Sequence, residues 1–302
     1  MLDSAPAPAP LAIEVRGLKK TFPVRTRGAV PKPGPSDSQA GANPASPPER
    51  SPSIPAQQSR RSATVEAVSG IDLDVPHGQV FAFLGPNGAG KTTTLRILTT
   101  LLPATSGTAK VAGYDVSTQQ DQVRRHIGYV GQLGGTDLDH ATGRENLVLA
   151  ARLYGLRKPE ALSRAAELLE GFDLTALADQ ETSTYSGGQR RRLDVALGMV
   201  GQPSVLFLDE PSTGLDPQNR MNLWDQVRRL RAQGTTVFLT THYLDEADAL
   251  ADDVAIMDHG QIIARGTPAQ LKARTGSATL DDVFLTLTGR ALRDTDVQEV
   301  RS

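Results

Sequence analysis

The stretch GPNGAGKT, Gly85 to Thr92, constrains this chain more than any other. The apolar run QVFAFL leads into it and TTTLRILTTLL leads out, so it joins a predicted buried strand to a predicted helix. Glycines let the backbone N–H groups wrap a phosphate, and the helix N-terminus adds a partial positive charge to the same spot. In that geometry Lys91 reaches the terminal phosphates and the Thr92 hydroxyl ligates magnesium. Average residue frequencies put the chance of such a match somewhere in a chain this long on the order of one per cent. The candidate nucleotide-binding residues are therefore Gly85, Pro86, Asn87, Gly88, Ala89, Gly90, Lys91, Thr92 and Thr93.

A bound magnesium phosphate calls for a carboxylate nearby, and VLFLDE offers one. A buried apolar strand ending in Asp209 delivers a charge beside the loop, and Glu210, one residue on, can orient and deprotonate an attacking water. TTVFLTTH places His242 at the carboxyl end of another strand, the edge where open α/β sheets bind ligands, and HIGYVGQ places Gln132 the same way. Between these strands run helical patterns: a long block from about Thr142 to Val200, then NRMNLWDQVRRLRAQG. The alternation predicts a mostly parallel α/β sheet with a helical insertion. VAIMDHGQIIARG reads as a hairpin about a His-Gly turn. In TLDDVFLTLTG, Leu280, Val283, Phe284 and Leu287 share one helical face, with Thr279 and Asp282 suited to its start and Gly289 to its stop.

Composition narrows the setting. With 38% apolar residues and a net charge of −2 over 302 residues, no chain-wide field favours nucleic acid or an anionic membrane. The absence of cysteine excludes disulfides and thiolate metal sites. No run reaches the roughly 18 apolar residues of a membrane span, and MLDSAPAPAP has neither part of a signal peptide, so work at a membrane is expected to need a partner. Residues 23–64 include PKPGPSDSQAGANPASPPERSPSIP, which has little apolar surface to offset its ordering entropy. It is expected to be a disordered insertion between two strands, LAIEVRGLKKTF and TVEAVSGIDLDV.

TYSGGQRRRLDVA raises a different question. Ser186, Gly187 and Gly188 stand at the mouth of a predicted helix, ready for an anion, although the phosphate loop lies far upstream. Two such sites require two ligands or two copies of the chain. The three arginines that follow are expected to form a solvated or interface face.

Here the chain resembles the nucleotide-binding subunits of ABC transporters. YSGGQ is similar to that family's signature sequence, with Tyr185 where Leu is commoner, and from Leu11 to Thr267 the phosphate loop, Gln132, signature, VLFLDE, GLDP and His242 follow in the family's order. The resemblance implies an ABC ATPase fold of the P-loop NTPase class: a RecA-like α/β core, an antiparallel β subdomain and an inserted helical subdomain over 133–200. It implies a disordered 1–10, an ATPase domain over 11–267 and a short C-terminal helix and tail over 268–302. ATP and Mg2+ are the implied cofactors. Glu210, His242 and Gln132 would be catalytic, Thr92, Gln132 and Asp209 would face the metal, Phe22 would stack on adenine, and Asp216 would couple the dimer. Two subunits would pair head to tail, so that Ser186, Gly187, Gly188 and Gln189 of one close over the γ-phosphate held by the other. Both anion sites then serve one shared ATP.

TYSGGQRRRLDVA, FLTTHYLDEADALADDVAIMDHG and LDDVFLTLTGR are also similar to the daunorubicin-resistance branch of the family, which powers drug exporters. That likeness implies a homodimer on the cytoplasmic face of the cell membrane, working with a separate integral-membrane permease and without nucleic acid. Between Gly276 and Leu280 this chain has almost nothing where that branch carries a longer segment. A soluble ABC ATPase acting as a switch on ribosomes or DNA is the alternative. Such proteins typically fuse two ATPase units or insert a long coiled coil, and neither feature is found here.

Overall fold

A computed structural model describes residues 10–23, 64–132 and 140–289. Most of the expected insertion, and the start of the expected helical subdomain, lie outside them. The strands are β1 (Leu11–Pro23), β2 (Thr64–Pro76), β3 (Val80–Leu84), β4 (Ser106–Val111), β5 (Tyr114–Asp115), β6 (Ile127–Val130), β7 (Val205–Asp209), β8 (Thr236–Thr241), β9 (Asp253–Asp258) and β10 (Gln261–Gly266). The helices are α1 (Lys91–Leu98), α2 (Gln120–His126), α3 (Gly143–Leu153), α4 (Lys158–Gly171), α5 (Gly187–Gly198), α6 (Pro217–Ala232), α7 (Leu244–Leu250), α8 (Pro268–Thr275) and α9 (Leu280–Thr288).

One sheet runs β10-β9-β3-β8-β7-β6. Its neighbours from β9 to β6 are parallel, and only β10 returns antiparallel. Strands covered on both faces are mainly apolar, and β3, β7 and β8 are buried throughout. The two-residue period sorts them. Val80, Ala82, Leu84, Leu206, Leu208, Val237 and Leu239 join a core completed by α3 to α9. Phe81, Phe83, Phe207 and Phe238 face the other core, with α1 and the second sheet, ordered β2-β1-β4-β5. The Phe238 ring lies 5.2 to 5.8 Å from those of Phe81, Phe207 and Phe83, within the favoured range for aromatic pairs.

The helical block from 142 to 200 resolves into α3, α4 and α5, with two short 3-10 turns between α4 and α5. Side-chain caps set its boundaries: Thr142 with Glu145 starts α3, and Ser186 with Gln189 starts α5. The β9–β10 hairpin turns at His259 and Gly260, both at positive φ, as a two-residue turn demands. The C-terminal region holds two helices where the sequence led us to expect one. In α9 the cap at Thr279 and the stop at Gly289 stand as expected, and Leu280, Val283 and Phe284 are buried. Leu287, on the same face in the last turn of α9, is 40% exposed.

Candidate functional site

The loop from Gly85 to Gly90 leaves the carboxyl end of β3 and enters α1. Two of its glycines are required by space as well as by backbone. A Cβ at Gly85 would strike the Met257 carbonyl, and Gly90, at φ 105°, would strike that of Ala67. The β9–β10 turn braces the loop from outside, since the Gly260 N–H donates to Ala89 O at 3.0 Å.

Lys91 is 4% exposed, and its ammonium donates to Gly85 O at 2.7 Å and Pro86 O at 3.0 Å. It also lies 3.6 Å from Glu210 Oε1. The loop thus holds the cation on its inner side with backbone carbonyls, acceptors that a phosphate can replace. Thr92 Oγ1 donates to Asp209 Oδ1 at 3.0 Å, so a hydroxyl and a buried carboxylate from different strand ends stand together. That pair is the hard-oxygen donor set that Mg2+ prefers.

Glu210 follows directly on β7 at φ +47°, an uncommon conformation for a residue with a side chain. Its N–H donates to Thr240 O at 3.1 Å, and its Oε2 lies 3.3 Å from His242 Nδ1, close but not aligned for a hydrogen bond. Burial pushes the carboxyl pKa up, yet the His242 ring and the Lys91 ammonium outweigh it and hold Glu210 below the ordinary range. The carboxylate is therefore ionised at neutral pH, as a proton acceptor must be.

Sequence reasoning missed Thr240. Its hydroxyl donates to Asp209 Oδ1 at 2.6 Å and accepts from the Glu210 N–H at 3.1 Å, steadying both carboxylates. Thr240 is the register partner of Asp209 across β7 and β8, so the strand order, had it been known, would have found it. Ser212, Trp224 and Glu246 form a second unforeseen group. The fully buried Glu246 carboxylate accepts from the Ser212 hydroxyl and from Trp224 Nε1, the latter at 3.3 Å.

The remaining expected residues separate into near and far. Gln132 lines the phosphate-loop cavity, about 240 Å³, with residues 86–93 and Glu210. Ser186, Gly187, Gly188 and Gln189 are not among its described lining residues. Ser186 caps α5, accepting from the Gln189 N–H while Gln189 Oε1 accepts from the Ser186 N–H at 2.7 Å. Tyr185 turns inward, its hydroxyl donating to Leu177 O at 2.6 Å. Asp216 caps α6 by accepting from the Asn219 N–H at 2.9 Å. Phe22 lies near the end of β1 and is 37% exposed.

The expectation for the arginines is corrected at Arg191. It is buried, donating from Nε to Pro211 O and from Nη1 to Gly131 O, both at 2.8 Å. Gly131 and Pro211, just after β6 and β7, meet this part of α5, so a charge that reads as surface faces backbone carbonyls instead.

The loop glycines, Lys91 and the Thr92–Asp209 pair suit a phosphate tail carrying a hard cation. The site can hold terminal phosphates, a hard cation and a water beside a carboxylate.

Comparison with known proteins agrees with this chemistry. The sequence pattern of the family described as ABC transporter matches residues 68–213. The chain is 55% identical over 214 residues to the daunorubicin/doxorubicin resistance ATP-binding protein DrrA of Streptomyces peucetius, a match covering 71% of this chain and 64% of that relative. It is 49% identical over 225 residues to the daunorubicin resistance ATP-binding protein DrrA3 of Streptomyces coeruleorubidus, covering 74% of this chain and 71% of that one. In fold it is similar to the dimeric, post-hydrolysis ATP-binding cassette MJ0796 bound to ADP and Pi, with a TM-score of 0.65 at 20% identity, over 84% of this chain and 98% of that one. It is also similar to an ATP-binding subunit of an ABC transporter, with a TM-score of 0.69 at 24% identity, over 92% of this chain and 100% of that one.

Proposed function

This chain belongs to the ABC transporter family of ATP-binding, ATP-hydrolysing proteins, and on that premise we propose that it is the energy-coupling subunit of an exporter that moves a hydrophobic drug or antibiotic. The observation that carries the ATPase chemistry is the meeting of Lys91, Thr92, Asp209, Glu210 and His242 at the carboxyl ends of the adjacent strands β3, β7 and β8. Lys91 binds the β- and γ-phosphates, giving up its contacts with the loop carbonyls. Thr92 and Asp209 would hold Mg2+, with Gln132 just beyond β6; when bound, the ion would neutralise charge on the phosphoryl group. Glu210 accepts the proton of the attacking water, with His242 beside its other oxygen.

The outer face of the terminal phosphate would be left for another molecule to cover. A second copy, paired head to tail, would bring Ser186, Gly187 and Gly188 to it at the N-terminus of its α5, with Asp216 at the dimer seam. Phe22 would stack on adenine. The transport reading is supported by the names of the relatives, which do not support a switch on ribosomes or DNA. Among the described residues no helix is long and apolar enough to cross a membrane, so the translocation path would belong to a separate permease, with this chain on the cytoplasmic face. A cavity of about 570 Å³ beside Gln132, flanked by the exposed Leu149, Leu153 and Tyr154, is suited to receive an apolar segment of that permease.

The test is Glu210→Gln. The amide keeps the shape and cannot take the proton, so ATP binding should persist while phosphate release falls by roughly 10²- to 10⁴-fold. Near-normal turnover would remove Glu210 from the role of base. Co-purification with a membrane protein encoded beside it tests the transport part.

A further inference from the structure

We propose that Arg191 is a positioning residue for ATP hydrolysis, tying the signature helix α5 to the two strand-end loops that carry Gln132 and Glu210. The proposal rests on the ATPase reading above.

The contacts are specific to those loops. Nη1 donates to the carbonyl of Gly131, the residue before Gln132, at 2.8 Å. Nε donates to Pro211 O at 2.8 Å and Nη2 lies 3.4 Å from Asp209 O, so one guanidinium grips the chain on both sides of Glu210. Backbone carbonyls carry no side-chain identity; what such bonds fix is position. The planar fork of arginine can span two loops at once, which the point charge of lysine cannot. The charge is balanced inside the protein by Asp194, one turn along α5, whose Oδ2 is 3.9 Å from Nη1 with both side chains only 8% exposed.

Glu210 needs such a grip. Its backbone at φ +47° costs energy, and strained residues persist only where the surroundings over-determine them. Here the Glu210 N–H is held by Thr240 O, and the carbonyls before and after it are held by Arg191. Released from that hold, the backbone can relax to negative φ, carrying the carboxylate away from Lys91 and His242. Arg191 lies only five residues beyond Ser186, so the segment proposed to cover a partner's phosphate is fastened to the hydrolytic groups of its own site.

The experiment measures ATP binding with a fluorescent ATP analogue, and kcat and KM for ATP, in the full-length chain and in Arg191→Met, Arg191→Lys and Glu210→Gln. Arg191→Met should bind nucleotide with an affinity near that of the unaltered protein while kcat falls by roughly 10- to 100-fold, the scale of a misplaced catalytic group. Arg191→Lys, which keeps the charge and the fold, should lose at least about threefold in kcat with KM little changed, and it decides the matter if Arg191→Met does not fold. Unchanged kcat in Arg191→Lys and in any folded Arg191→Met overturns the proposal. So does a fall in kcat that merely tracks loss of nucleotide-binding protein, which is the mark of a structural role. The general-base reading fails separately, through near-normal turnover in Glu210→Gln.

Discussion

Glu246 and Glu210 both contact residues at or just beyond the ends of β7 and β8, and their surroundings drive them in opposite directions. Glu210 keeps its charge because an ammonium and an imidazole flank it. Glu246 is buried, and burial pushes its pKa up against the hydrogen bonds from Ser212, Thr241 and Trp224. A carboxyl with a raised folded pKa binds more protons in the native state than in the unfolded chain. Its contribution to stability is therefore fully present below the ordinary Glu value and is lost as pH rises through the folded value. Glu246→Gln, neutral at every pH, lacks that loss. Urea unfolding between about pH 5 and 8 should show the unaltered protein losing stability relative to Glu246→Gln as pH rises, by at most about 1.4 kcal/mol per pH unit. Parallel curves would mean that Glu246 does not take up a proton on folding. Neither this residue nor Thr240 stood out in the sequence, because each acts through a partner brought close only by strand pairing.

At the scale of elements, the clearest sequence signals were those whose physics is local. The phosphate loop is fixed by its own glycines, the starts of α3, α5 and α9 by their capping residues, and the β9–β10 turn by His259 and Gly260. The failures were non-local. Arg191 reads as one of three surface charges until the carbonyls of Gly131 and Pro211 meet it. Continuous apolar strands were legible, but their order was not, and with it went the meeting of four phenylalanines on one face of the sheet. That cluster gives a stability prediction. Phe238 has no exposure and touches Phe81, Phe83 and Phe207, so Phe238→Ala should leave a cavity and cost about 3–5 kcal/mol in urea unfolding. A loss below about 1 kcal/mol would show that the surrounding rings collapse into the space.

For the whole molecule, the account turns on an ATP site completed by two chains. Its near half is assembled at the strand ends, while Ser186 to Gln189 stand apart from the described lining of the phosphate-loop cavity. The chain has no cysteine, so engineered thiols report without interference. Asn87 and Ser186 are both exposed, one on each half of the proposed site. Chains carrying Asn87→Cys alone and chains carrying Ser186→Cys alone, distinguished by size tags, are mixed, saturated with magnesium and a non-hydrolysable ATP analogue, and oxidised. The account predicts a disulfide joining one kind of chain to the other, formed only with the nucleotide. No cross-link between chains at saturating nucleotide, together with a ready disulfide inside a single chain bearing both substitutions, would contradict it.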